Sequence, residues 1–317
     1  MSDALHTLDQ GSLILTVNRR LSRTLTRLAD QQQVAAGATV WPTPRIIPLT
    51  SWLEACWAEL LDRRENIPGT NRSRSPSLLT PWQERLLWEK IIATSPEGAH
   101  LLRVSEAAKT AQQAWRLLKE WQVILTDSDL YDHEDAQAFY AWSNRFASVC
   151  RKQGWLERAS LADHLRQHIA QLALPEQIFL AGFQDHPPLL AALFAALREA
   201  GVRVETLTLP DQTEHAQRVT LPSGEAELLA AAQWSRHLLR QSPEIKVCIV
   251  VPTLESQLPQ VIDLFARTLY PGANPATLEP TGKLFNISLG ARLTETPLVR
   301  DALLLLALGK GVLSLEQ

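Results

Sequence analysis

The chain has 317 residues, enough for about two domains, and 31 basic against 34 acidic side chains leave a formal charge of −3. That balance excludes a uniformly basic polyanion binder and confines any phosphate site to a local patch, while a 45% share of hydrophobic residues excludes wholesale disorder. Three scattered cysteines, Cys56, Cys150 and Cys248, exclude a disulfide framework and lack zinc-ligand spacing, so a reducing compartment is expected. The opening MSDALHTLDQ has neither the basic nor the apolar region of a secretion signal, and no run reaches the roughly 18 apolar residues of a membrane span. A cytoplasmic location without a membrane partner is the expectation.

In chain order, Leu13 to Val17 is a short apolar run that reads as a buried strand, and Asn18 reads as the cap of a following helix. From Arg19 to Gln33 the apolar residues Leu21, Leu25 and Leu28 share one helical face, while Arg20, Arg23 and Arg27 line another. Pro42, Pro44 and Pro48 force an extended segment before a second helix at about Ser51 to Arg64, and 66–77 reads as a loop. From Leu79 to Gly154 only helical periods occur, starting at Thr80-Pro81, a cap followed by proline at the first helical position. Strand-like runs then alternate with helices: strand 177–181, helix 189–200, strand 202–209, helix 225–240, strand 247–251 and helix 254–269. Such alternation implies a parallel sheet. Pro297 to Leu308 is a last helix, and the chain stops at Ser-Leu-Glu-Gln317 without a capping element, as expected of the N-terminal part of a longer protein.

Several apparent sites dissolve when their chemistry is checked. The phosphate loop GxxxxGK[ST] is absent, and Gly309-Lys310-Gly311 follows a helix rather than a strand, so neither ATP hydrolysis nor any bound cofactor is expected. His164 and His168 have metal-ligand spacing but no catalytic glutamate between them, and a solvated helix face is expected. Asp127, Asp129, Asp132, Glu134 and Asp135 lack the glycine and glutamate of a calcium loop. Trp82, Trp88, Trp115, Trp121, Trp142 and Trp155 cluster in or beside the helical stretch, where core packing is favoured over base stacking. Pro210-Asp211 with Glu244-Ile-Lys246 spells the PD…ExK nuclease signature, yet the helix 225–240 between them prevents the hairpin that would join two metal-binding carboxylates.

The block Leu15-Thr-Val-Asn-Arg-Arg-Leu-Ser-Arg-Thr-Leu25 resembles LTPNRRLARxL, the opening of bacterial DNA repair proteins of the AddB/RecB type that end in a PD-(D/E)xK nuclease. Val40-Trp-Pro-Thr-Pro-Arg-Ile-Ile-Pro-Leu-Thr-Ser-Trp-Leu53 and Leu79-Thr-Pro-Trp-Gln-Glu-Arg-Leu-Leu-Trp88 resemble the family's next two blocks. Phe179-Leu-Ala-Gly-Phe-Gln-Asp-His-Pro-Pro188 resembles the Walker B block DEFQDTxP of related helicases, with Ala181 and Gly182 where the magnesium-binding Asp and the water-orienting Glu would stand, and Asp185 retained. Gly224-Glu-Ala-Glu227, Val250-Val-Pro252 and Asn286-Ile-Ser-Leu-Gly290 resemble the second helicase-like domain.

The resemblance implies an α/β fold with a degenerate P-loop-NTPase, helicase-like parallel sheet, a helical insert and part of a second α/β domain. The expected division is 1–78 plus 155–213 for the first domain, 79–154 for the insert and 214–317 for the second. It further implies a non-catalytic region that holds or guides DNA, single-stranded or a duplex end, for a nuclease module, with a helicase or nuclease subunit as a partner. In the resembling helicases a similar Thr/Asn/basic block lies on single-stranded DNA, which assigns Thr16, Asn18, Arg19, Arg20 and Arg23 to DNA contact here. A protein-binding scaffold that never touches DNA is the alternative, and near-neutral charge favours it. The five arginines Arg19, Arg20, Arg23, Arg27 and Arg45 against the single acid Asp30 favour DNA.

Overall fold

A computed structural model describes residues 11–65, 76–125, 133–208, 216–271, 285–289 and 293–309. The chain divides into two compact units, residues 1–212 and 213–317.

In the first unit, strand β1 (Ser12–Thr16) runs into helix α1 (Arg19–Ala35) through a turn in which the Asn18 side chain accepts the Leu21 N–H, the expected cap. Strand β2 (Ile46–Pro48) follows the proline-rich segment and leads directly into α2 (Leu49–Glu65). After the helical insert come α6 (Leu161–Gln167), β5 (Gln177–Ala181), α7 (Pro188–Glu199) and β6 (Arg203–Leu207). The four strands form one parallel sheet in the order β2-β1-β5-β6, with Thr16 opposite both Pro48 and Ala181.

All five β1 residues are buried, as a strand covered on both faces must be. Pleating sends Leu13 and Leu15 toward α2, α6 and α7, where they join Trp52, Leu60, Leu165, Leu193 and Phe194. Ile14 points the other way and packs with Leu25 of α1, Ile46 and Leu207. A 2.7 Å bond from the Ser22 hydroxyl to the Ile46 carbonyl pins α1 to the sheet, and its opposite face is thereby held outward.

The insert contains α3 (Pro81–Ala93), α4 (Val104–Glu120) and α5 (Glu134–Gln153). Thr80 and Gln83 close a full capping box with Pro81 at the first helical position. Trp88 is fully buried at the centre, stacked on Phe146 at 4.3 Å and edge-on to Trp115 at 6.2 Å. The expectation of core tryptophans therefore holds for Trp88 and Trp142, whereas Trp82 and Trp121 are exposed and need correction. A two-residue parallel pair, β3 (Ser77–Leu78) with β4 (Trp155–Leu156), joins the entry and exit of the insert, a pairing too short to show as a period in the sequence. Glu84 of α3 is buried; one carboxylate oxygen accepts the Arg158 N–H at 2.6 Å and the other the Gln112 amide at 3.0 Å. Burial pushes its pKa up, against those two bonds, and the neighbouring Glu157 adds to the rise.

In the second unit, α8 (Gly224–Gln241), capped by Ser223, packs on α9 (Leu254–Leu269) through Leu228, Ala232, Val261 and Phe265. The expected strand 247–251 is a correction. Its side chains alternate, with Val247, Ile249 and Val251 half-buried and Cys248 and Val250 exposed, but it joins no ladder. Period-two burial needs only the two helices, while a strand also needs a neighbour's backbone, and no strand lies in this unit among the described residues. The last helix, α10 (Pro297–Gly309), leaves Leu298, Leu305, Leu306 and Leu308 exposed. The molecule is thus a mixed α/β protein in which helices dominate a small parallel sheet, and no described helix is long and apolar enough to cross a membrane.

Candidate nucleic-acid interface

From β1 the chain passes to β2 on one side of the sheet, while β5 lies on the other side of β1, so the strand order reverses at the carboxyl ends of β1 and β5. Ligands of open α/β sheets sit at such a reversal. The β1–α1 turn and the β5–α7 loop meet there, with the Val17 N–H donating to the Ala181 carbonyl at 3.3 Å.

Thr16 is completely buried and donates its hydroxyl to the Asn18 carbonyl at 2.9 Å. It shapes the turn and cannot reach a DNA backbone, a correction to its expected contact role. Asn18, in an extended conformation, caps α1 and remains exposed. Arg19, Arg20, Arg23 and Arg27 are all exposed, α1 has no acid in its first turn, and its N-terminus carries the positive end of the helix dipole. Among the described residues Arg19, Arg23 and Arg27 enter no ion pair.

Across the reversal, Ala181 has no exposed surface and sits opposite Thr16 in the ladder. Gly182 adopts a left-handed φ of +80°, and a β-carbon there would lie 2.7 Å from Leu21 Cδ2 and 3.2 Å from Val17 Cγ2. The β5–α7 loop then folds back, with Phe183 and His186 both edge-on to Phe194 of α7, which leaves Asp185 exposed. The structure thus brings Asn18 and Arg19 together with Ala181 and Gly182, while Arg23 and Arg27 extend the cationic face one and two turns along α1. The Trp41 indole N–H donates to Asp30 at 2.8 Å, eleven residues away, a contact no period encodes.

The other candidates separate from this face. His164 and His168 are half-buried, with rings stacked at 4.4 Å and His164 edge-on to Trp57 at 5.3 Å, so the expected solvated face is corrected to an aromatic contact with α2. No group of three or more His, Cys, Asp or Glu could hold a metal ion among the described residues. Asp127, Asp129, Asp132, Asp211, Gly290, Lys310 and Gly311 lie outside the described residues; Glu244 and Lys246 are exposed. Cys56 and Cys150 are buried, and desolvation pushes both thiols up to about 12, with nearby carboxylates adding to the rise. Neither suits a nucleophile. Comparison of the chain with models of protein families and with curated proteins finds no match.

Proposed function

We propose that this chain is a non-catalytic, degenerate P-loop-NTPase (helicase)-like region that holds DNA by its backbone for a nuclease module of the same protein or of a partner subunit. The observation that carries the reading is the exposed face of Asn18, Arg19, Arg20, Arg23 and Arg27 at the sheet's reversal point, unopposed by any acid in the first turn of α1. Two features support its lack of catalysis. Ala181 and Gly182 carry no metal-binding or basic group, and the left-handed φ of Gly182, packed on Val17 and Leu21, disfavours any side chain at that position.

A 15-nucleotide fluorescein-labelled oligo(dT), titrated by anisotropy at several salt concentrations, tests the reading. Micromolar binding that weakens with salt is expected. The variant Arg19→Ala/Arg20→Ala/Arg23→Ala should flatten the log–log salt slope by about 2, at roughly 0.7 for each phosphate no longer neutralised. Binding unaltered by the triple substitution overturns the proposal. A second reading, a scaffold for a protein partner without DNA, is favoured by the exposed leucines of α10, and absence of oligonucleotide binding at about 20 mM salt would select it.

A further inference from the structure

On α1 the residues Arg20, Arg23, Arg27 and Asp30 fall at i, i+3, i+7 and i+10, one stripe opposite the buried Ser22, Leu25 and Ala29. Asp30 is the single acid between residues 19 and 45 and could have neutralised a guanidinium of its own stripe. Instead its carboxylate accepts the Trp41 indole N–H at 2.8 Å. The acid fixes the orientation of an aromatic ring at the end of a row of cations.

Among the described residues the Trp41 side chain makes no second hydrogen bond. It belongs to none of the buried clusters that absorb Trp52, Trp57, Trp88 and Trp142, and its ring meets no other aromatic ring and no cation among the described residues. It is half-buried, between the 88% exposed Val40 and the exposed Pro42. Prolines at 42 and 44 limit the backbone freedom of the segment that carries it, so little ordering remains to be done on binding.

A cationic track with an aromatic ring at its end is the arrangement that binds unpaired nucleic acid. The cations follow phosphates, and the ring offers its face to a base that is not already stacked in a duplex. From Arg19 to Asp30 the track is about 16 Å long, at the helical rise per residue, which spans a few nucleotides. We infer that Trp41, oriented by Asp30, is a base-stacking platform that makes the α1 face a site for single-stranded DNA. The inference rests on the proposed DNA reading and adds to it the strand state of the ligand.

The test compares the fluorescein-labelled 15-nucleotide oligo(dT) with an abasic oligonucleotide of equal length, which keeps the phosphates and removes every base. The native chain should bind oligo(dT) about fivefold to a hundredfold more tightly than the abasic strand, the range for one stacked base. Trp41→Ala should erase that ratio and leave abasic binding unchanged, while Trp41→Phe, which keeps a π-face but no indole N–H, should retain most of it. The triple arginine variant should weaken both ligands alike. Circular dichroism matching the native spectrum shows that the variants are folded. Equal affinity of the native chain for both strands, or a loss in Trp41→Ala that is the same for both, overturns the stacking inference while leaving backbone binding intact. Failure to bind either strand overturns the DNA reading itself.

Discussion

Replacing Gly182 with alanine isolates the contact that closes the reversal point. Two costs are expected. A left-handed φ of +80° penalises any L side chain by about 1–2 kcal/mol, and the new methyl group meets Leu21 Cδ2 at 2.7 Å and Val17 Cγ2 at 3.2 Å. Leu21 can swing its chain end away at about 0.5–1.5 kcal/mol, but β-branched Val17 has less freedom, so the total comes to about 2–4 kcal/mol. Gly201 supplies the control, because its φ is +92° and nothing lies within 4 Å of the place a β-carbon would occupy, which leaves only the backbone cost of about 1–2 kcal/mol. Urea unfolding followed by tryptophan fluorescence reads the first unit, since nine of the ten tryptophans fall within residues 1–212. At a slope of about 2 kcal/mol per molar, Gly182→Ala should lower the midpoint by about 1.5 M, against about 0.75 M for Gly201→Ala. Equal shifts for the two variants would refute the contact, and no shift in either would refute the backbone argument.

Two further outcomes follow from buried ionisable groups. The raised pKa of Glu84 means that the folded state holds this proton more tightly than the unfolded chain does, so its stabilising contribution is complete below the ordinary value of 4.5 and is lost as pH rises through the higher folded value. Glu84→Gln, which can still accept the Arg158 N–H, should remove that fall, and urea midpoints measured across this window will show the native chain declining more steeply than the variant. Of the three thiols, exposed Cys248 should react with a disulfide reagent at pH 8 at once, whereas Cys56 and Cys150, held to about 12, should react only on unfolding; three fast equivalents would contradict their burial.

What the sequence determined by itself was whatever is encoded within a turn or two of chain. The cap at Asn18, the Thr80-Pro81 helix start, the strand at 177–181 and the amphipathic arginine helix are local patterns of side-chain chemistry and period, and each stands where its pattern put it. Ala181 and Gly182 were readable as residues without a carboxylate. What the sequence could not carry was which segments become neighbours. The order β2-β1-β5-β6, and with it the reversal point, depends on pairing between strands up to 165 positions apart, such as Ser12 with Gln177. The same holds for the burial of Thr16, the contact of Gly182 with Leu21, the Trp41–Asp30 bond and the wedge of His164 against Trp57. The segment 247–251 states the limit most directly: its alternation is local and is present, but a β-ladder is a property of two backbones, and only the tertiary structure decides whether the second one is there.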